Sequence, residues 1–77
     1  MWKAVRLEID LPSPPALETF RRRHRVDLNV LRARVTESRA WYLLDVSGAA
    51  AKVEAAVRHF RERGFALRTH SLETSYA

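Results

Sequence analysis

The sequence predicts an α+β domain: a four-stranded antiparallel sheet with two helices on one face. Three observations predict it. Val5, Leu7, Ile9 and Leu11 alternate strictly with Arg6, Glu8 and Asp10, the period of a half-buried strand. Val53, Ala56, Val57 and Phe60 recur at i, i+3, i+4 and i+7, the stripe of an amphipathic helix. Breakers at Pro12-Ser13-Pro14-Pro15, Ser47-Gly48 and Gly64 divide the chain into segments in the order βαββαβ.

Each element follows from its own residues. The first strand stops at the proline cluster, because proline cannot donate to a sheet ladder. The same cluster starts a helix over 16–24, with Ser13 as cap and Pro14 and Pro15 in the first turn, where amide hydrogens have no partner. Leu17 and Phe20 share its apolar face, and Arg21, Arg22 and Arg23 sit at the negative end of its dipole. A second strand covers 27–37, with Leu31, Ala33 and Val35 expected on one face and Val30, Arg32, Arg34 and Thr36 on the other. Ser38 and Arg39 are the expected turn. The third strand, 40–46, sets Tyr42, Leu44 and Val46 against Trp41, Leu43 and Asp45. The second helix runs over 50–63, with Glu54–Arg58 and Arg58–Glu62 pairs on its wet side. Gly64 ends it in a left-handed conformation. The fourth strand is 65–72, with Phe65 and Leu67 inward, and 73–77 read as a flexible tail. Two right-handed crossovers of this kind give the ferredoxin-like fold, a superfold that names no function by itself.

Composition narrows the function classes. The 77 residues form one domain, with a core over about 4–72, and a chain of this length buries only about 60% of its unfolded surface. A small core without staples leans on a partner chain, so self-association is expected. Absence of cysteine removes disulfides, thiolate metal sites and a cysteine nucleophile. No apolar run approaches the length of a membrane span, and the N-terminus builds no signal-peptide core; neither membrane insertion nor export is expected, and the expected location is cytoplasmic. The net charge is +5, almost all of it carried by arginine.

Three constellations could carry chemistry. His24, His59 and His70 fall in three different elements without ligand spacing, and two glycines cannot build a phosphate-cradling loop. No nucleophile, base and orienting group assemble from spacing, so no enzymatic activity and no cofactor are expected. The sheet face away from the helices collects Arg6, Arg32, Arg34, Arg68 and His70 around Trp41 and Leu43. A basic face with an aromatic suits single-stranded nucleic acid, and Arg32, Arg34, Trp41 and Arg68 are its candidate contacts. Glu8, Asp10 and Asp45 interrupt that field, and the face reads rather as a solvated or dimer-covered one crossed by salt bridges. Finally, Asn29 lies at the entry to the second strand in Val26-Asp27-Leu28-Asn29-Val30-Leu31. Asparagine is depleted within strands. Here it either caps the preceding turn or offers its donor pair and acceptor to the carboxylate and ammonium of an amino acid.

The segments Val26-Asp27-Leu28-Asn29-Val30-Leu31, Tyr42-Leu43-Leu44-Asp45-Val46-Ser47-Gly48, Val53…Ala56-Val57…Phe60 and Gly64-Phe65-Ala66-Leu67 together resemble the NIL domain. That family takes its name from an Asn-Ile-Leu motif, matched here by Asn29-Val30-Leu31. The likeness runs from Leu7 to about Leu72. Valine stands where the motif has isoleucine, and the hairpin at Glu37-Ser38-Arg39 is short and lacks the family's glycines. The resemblance implies an ACT-like regulatory module that dimerises and binds an amino acid such as methionine. By it, Asn29 is the polar anchor, Val30 and Leu31 form apolar wall, and a transporter or sulfur-metabolism protein is the expected protein partner. A ligand-free accessory role in sulfur or methionine metabolism, or nucleic-acid binding, are the alternative functions.

Overall fold

A computed structural model describes residues 1–12 and 17–72. The elements are β1 (Trp2–Leu11), α1 (Leu17–His24), β2 (Asp27–Val35), β3 (Ala40–Ala49), α2 (Ala50–Glu62) and β4 (Ala66–Leu72). The strands form one antiparallel sheet in the order β2-β3-β1-β4, so the fold is α+β and ferredoxin-like, as the segment order predicts. The expected cap at Ser13, the first turn at Pro14, Pro15 and Ala16, and the tail over 73–77 lie outside the described residues.

The alternation in β1 decides the layering. Val5, Leu7, Ile9 and Leu11 are buried, as are Ala40, Tyr42, Leu44 and Val46 on β3. These face Val53, Ala56, Val57 and Phe60 of α2, which are all buried in the same cluster. Burying one such side chain fully contributes about 1.5–3 kcal/mol, so the two central strands and α2 hold most of the core. Helix α1 has no fully buried residue. Its half-buried Leu17 and Phe20 pack against the cluster, and the rings of Phe20 and Phe60 lie 4.6 Å apart.

Both edge strands contain a one-residue irregularity that the sequence pattern does not reveal. In β2 the pairing passes from Val30 opposite Leu44 to Arg32 opposite Leu43, leaving Leu31 as the extra residue. In β4 it passes from Ala66 opposite Ile9 to Arg68 opposite Glu8, leaving Leu67 extra. A bulge changes the parity of everything beyond it. Val30 therefore shares the helix side with Ala33 and Val35, contrary to the expected grouping with Arg32 and Arg34. Leu67 is 53% exposed rather than inward, and Phe65 and Ala66 make the core contact instead.

Several boundaries also differ from expectation, β4 beginning at Ala66 rather than at Phe65. Strand β3 continues to Ala49, because Gly48 pairs with Lys3 and Ala49 with Trp2 at the start of β1. Gly48 takes φ +147° there, and a Cβ would lie 3.7 Å from the Val26 backbone. Strand β2 ends at Val35, since the Thr36 N–H donates to the Arg39 carbonyl at 2.8 Å and closes the turn. Helix α2 ends at Glu62. On its exposed side Glu54 pairs with Lys3 of β1 at 3.4 Å. Among the described residues no helix is long and apolar enough to cross a membrane.

Candidate functional site on the open sheet face

Helices cover one face of the sheet, and strand register fixes what the other displays. Side chains directly opposite one another point to the same side, so ranks of side chains run across the strands, and three of these ranks carry the candidate residues. Asn29, Asp45, Arg6 and His70 form the first. Arg32, Leu43, Glu8 and Arg68 form the second. Arg34, Trp41 and Asp10 form the third, at the hairpin end. The open face thus brings together Arg6, Arg32, Arg34, Arg68, His70, Trp41 and Leu43, as the alternation predicts.

Its electrostatics are those of crossed ion pairs. Arg6 donates through Nε and Nη2 to both oxygens of Asp45, at 2.8 and 3.1 Å. Arg39, from the turn, grips Asp10 in the same bidentate way, at 3.2 and 2.6 Å. In each case the hydrogen bond and then the carboxylate charge raise the arginine pKa above its ordinary value. The indole Nε1 of Trp41 donates to Glu8 Oε2 at 3.0 Å, and Arg68 Nε lies 3.9 Å from the other oxygen of Glu8. Among the described residues, Arg32 and Arg34 have no ion-pair partner. Arg34, Thr36, Arg39, Asp10 and Trp41 enclose a shallow concavity of about 370 Å³.

Asn29 is exposed on this face. Its register neighbour on β3 is Asp45, and its amide has no hydrogen-bond partner among the described residues. It does not cap the preceding turn. That turn is closed instead by the Val26 N–H donating to the Arg21 carbonyl. Val30 points to the helix side, opposite Leu44, so it does not join Asn29 on one surface, and Leu31 is the extra residue of the bulge beside it. Leu43 is the half-buried apolar side chain in the adjoining rank.

Sequence reading missed two further features. The Arg6–Asp45 and Trp41–Glu8 bonds require the β1–β3 register, although the alternation of both strands already assigns the four residues to one face. His24 and His59, from different helices, approach to 5.1 Å between ring centroids, and Phe20 completes a triangle of rings with them at 4.3 and 5.3 Å. Their pKa values are lowered, first by burial and then by the Arg23 and Arg63 charges. His24 Nε2 is buried without a hydrogen-bond partner. No group of three or more His, Asp or Glu that could hold a metal ion occurs among the described residues.

No family model matches the chain, and no curated protein matches its sequence.

Proposed function

We propose that the chain is a non-catalytic, small-molecule-binding regulatory module. It senses an amino acid such as methionine and acts through dimerisation or on a partner protein. The observation that carries this reading is the place of Asn29. An unpartnered amide stands on the free edge strand, in the same rank as the Arg6–Asp45 pair. An amino-acid zwitterion is complementary to that rank: its carboxylate suits Arg6 and the Asn29 NH₂, and its ammonium suits Asp45 and the Asn29 carbonyl. Leu43 supplies apolar surface for the ligand side chain.

Strand β2 also supports self-association. It is an unpaired edge, and Val30, Leu31 and Val35 are 42, 40 and 52% exposed; exposed apolar edges are templates for pairing. An antiparallel β2–β2 pair centred between Val30 and Leu31 sets Asp27 against Arg34 and Asn29 against Arg32 of the second copy. The bulge makes all four face the same side. In that pair the second Arg32 guanidinium stands beside Asn29, so ligand carboxylate binding and dimerisation favour each other.

Titration calorimetry with methionine and related amino acids tests the reading. Heat with wild type that falls about tenfold or more in affinity for Asn29→Ala supports it. Absence of heat with any amino acid at millimolar concentration defeats it.

One observation favours a second reading. Arg32 and Arg34 carry unneutralised charge, and Arg34 sits directly across from Trp41, a pairing suited to single-stranded nucleic acid. The Trp41–Glu8 bond and the carboxylates of Asp10 and Asp45 oppose it. Binding to single-stranded RNA or DNA that weakens steeply with salt, and drops for Trp41→Ala, would favour this reading over the first.

A further inference from the structure

On the opposite side of the molecule, α1, α2 and the entry to β4 leave a groove of about 270 Å³ between them. Leu11, Leu17, Phe20, Phe60 and Phe65 give it an apolar bed, and Arg23, Arg63 and His59 stand in its wall. Leu11 and Phe60 are buried, while Leu17, Phe20 and Phe65 remain half-buried. Part of this aromatic surface therefore stays in contact with water in the isolated chain, and covering it is favourable.

The charge around the groove is one-sided. Among the described residues, none that lines it carries a carboxylate. The Arg23 and Arg63 charges both act on the imidazoles of His24 and His59, and Glu62 is the acid that acts back on His59. Arg63 Nη1 donates to His59 Nδ1 at 3.1 Å, a hydrogen bond that leaves the guanidinium charge unneutralised. Arg23 has no ion-pair partner among the described residues.

We propose that this groove binds a small amphiphilic carboxylate, its apolar chain among Leu17, Phe20 and Phe65 and its carboxylate on Arg23 and Arg63. The volume lies just below the usual range of ligand pockets, about 300–1,000 Å³, which restricts the occupant to a medium-length acyl chain or a single aryl ring. Guanidinium binding of a carboxylate is charge-assisted and geometrically specific. An apolar alcohol fills the bed without using the wall, and an ammonium meets repulsion there.

Sodium octanoate is the probe, read by amide chemical shifts of the isotopically labelled chain, with octan-1-ol and octylammonium chloride as controls. Saturable shifts at Leu17, Phe20, Phe60 and Phe65 are expected with octanoate, several-fold weaker binding with octan-1-ol, and none with octylammonium. Arg23→Gln and Arg63→Gln should each weaken octanoate about two- to fivefold, the loss that one partly exposed ion pair gives, and leave octan-1-ol unchanged. Both arginines are exposed, and a dispersed spectrum of each variant checks that the fold is kept. Equal binding of octanoate and octan-1-ol, absence of saturable shifts at the groove, or indifference to both substitutions overturns the proposal. The groove lies on the helix side, away from Asn29, so these results are separate from those with methionine.

Discussion

The Val26 N–H donates to the Arg21 carbonyl at 3.3 Å, wrapping the end of α1 around Arg25, which takes φ +57°. The end of α2 repeats this arrangement. There the Phe65 N–H donates to the Phe60 carbonyl at 2.9 Å and the Gly64 N–H to the Arg61 carbonyl at 3.0 Å, with Gly64 at φ +72°. Both crossovers thus return to the sheet through a left-handed residue. Glycine occupies that place in the second half and arginine in the first.

A prediction follows from that asymmetry. A non-glycine residue in the left-handed region is strained by about 1–2 kcal/mol, and glycine is not. Arg25→Gly should raise stability by up to about 1 kcal/mol, part of the relief being offset by the freer unfolded chain. Gly64→Ala should lower it by about 1 kcal/mol. Urea denaturation measures both, and a loss of stability in Arg25→Gly would contradict the account of the α1 terminus.

The Phe20–Phe60 contact makes a second, graded prediction. Phe60 is buried in the main cluster and Phe20 only half-buried against it. Phe60→Ala should cost about 3–5 kcal/mol, a large share of the stability of any small domain. Phe20→Ala should cost clearly less, because water already reaches one side of its ring. Equal denaturation midpoints for the two variants would mean that α1 packs more tightly than its exposure indicates.

The histidines between the helices set a pH dependence. His24 and His59 both titrate below 6.5 in the folded protein, because burial and then the Arg23 or Arg63 charge disfavour the imidazolium. Each accepts a proton more readily when unfolded. Stability is therefore complete above about pH 6.5 and falls as the pH drops toward the depressed folded values. Arg23 and Arg63 face the pair as cations, and Glu62 partly offsets them at His59. Glu18, whose pKa its hydrogen bond with Arg21 lowers from 4.5, adds a separate loss below that value. Denaturation midpoints should decline as the pH falls below about 6.5, less so in His24→Phe. A flat profile there falsifies this account of the half-buried pair.

How much of this was legible in the sequence depends on the kind of information needed. Segment order, the buried set of β1 and the stripe of α2 follow from periodicity, because side-chain direction is a local property of helix and strand. The bulges at Leu31 and Leu67 are invisible to it. Two alternating runs joined by one extra apolar residue look like a single run, and only the neighbouring strand's register reveals the change of parity. That is why periodicity puts Val30 on the wrong face and Leu67 in the interior, yet puts Arg32, Arg34 and Arg68, which the pairing sets opposite open-face residues, on the right one. Asn29 was recognisable as unusual from residue type alone. Its neighbours Arg6 and Asp45 were not, since they meet it only through β3 and β1. The approach of His24 to His59 depends on how two helices pack, which no spacing within either one encodes.

The β2 edge allows the proposed self-association to be tested by charge reversal. In a two-fold antiparallel pair centred between Val30 and Leu31, Asp27 of each copy stands opposite Arg34 of the other, so each opposition occurs twice. Arg34→Asp creates two like-charge oppositions, and Asp27→Arg does the same with the sign reversed. Exposed pairs of this kind are worth about 0.2–1 kcal/mol each. Each single variant should therefore weaken the dimer several-fold in sedimentation equilibrium. The double variant Asp27→Arg with Arg34→Asp restores opposite charges across the pair and should recover most of the affinity, because only the sense of each contact has changed. Neither residue is buried, so the fold of the protomer is unaffected by these changes. A double variant no tighter than the singles would exclude this register, since a loss caused by general surface charge has no reason to reverse when the two charges are exchanged.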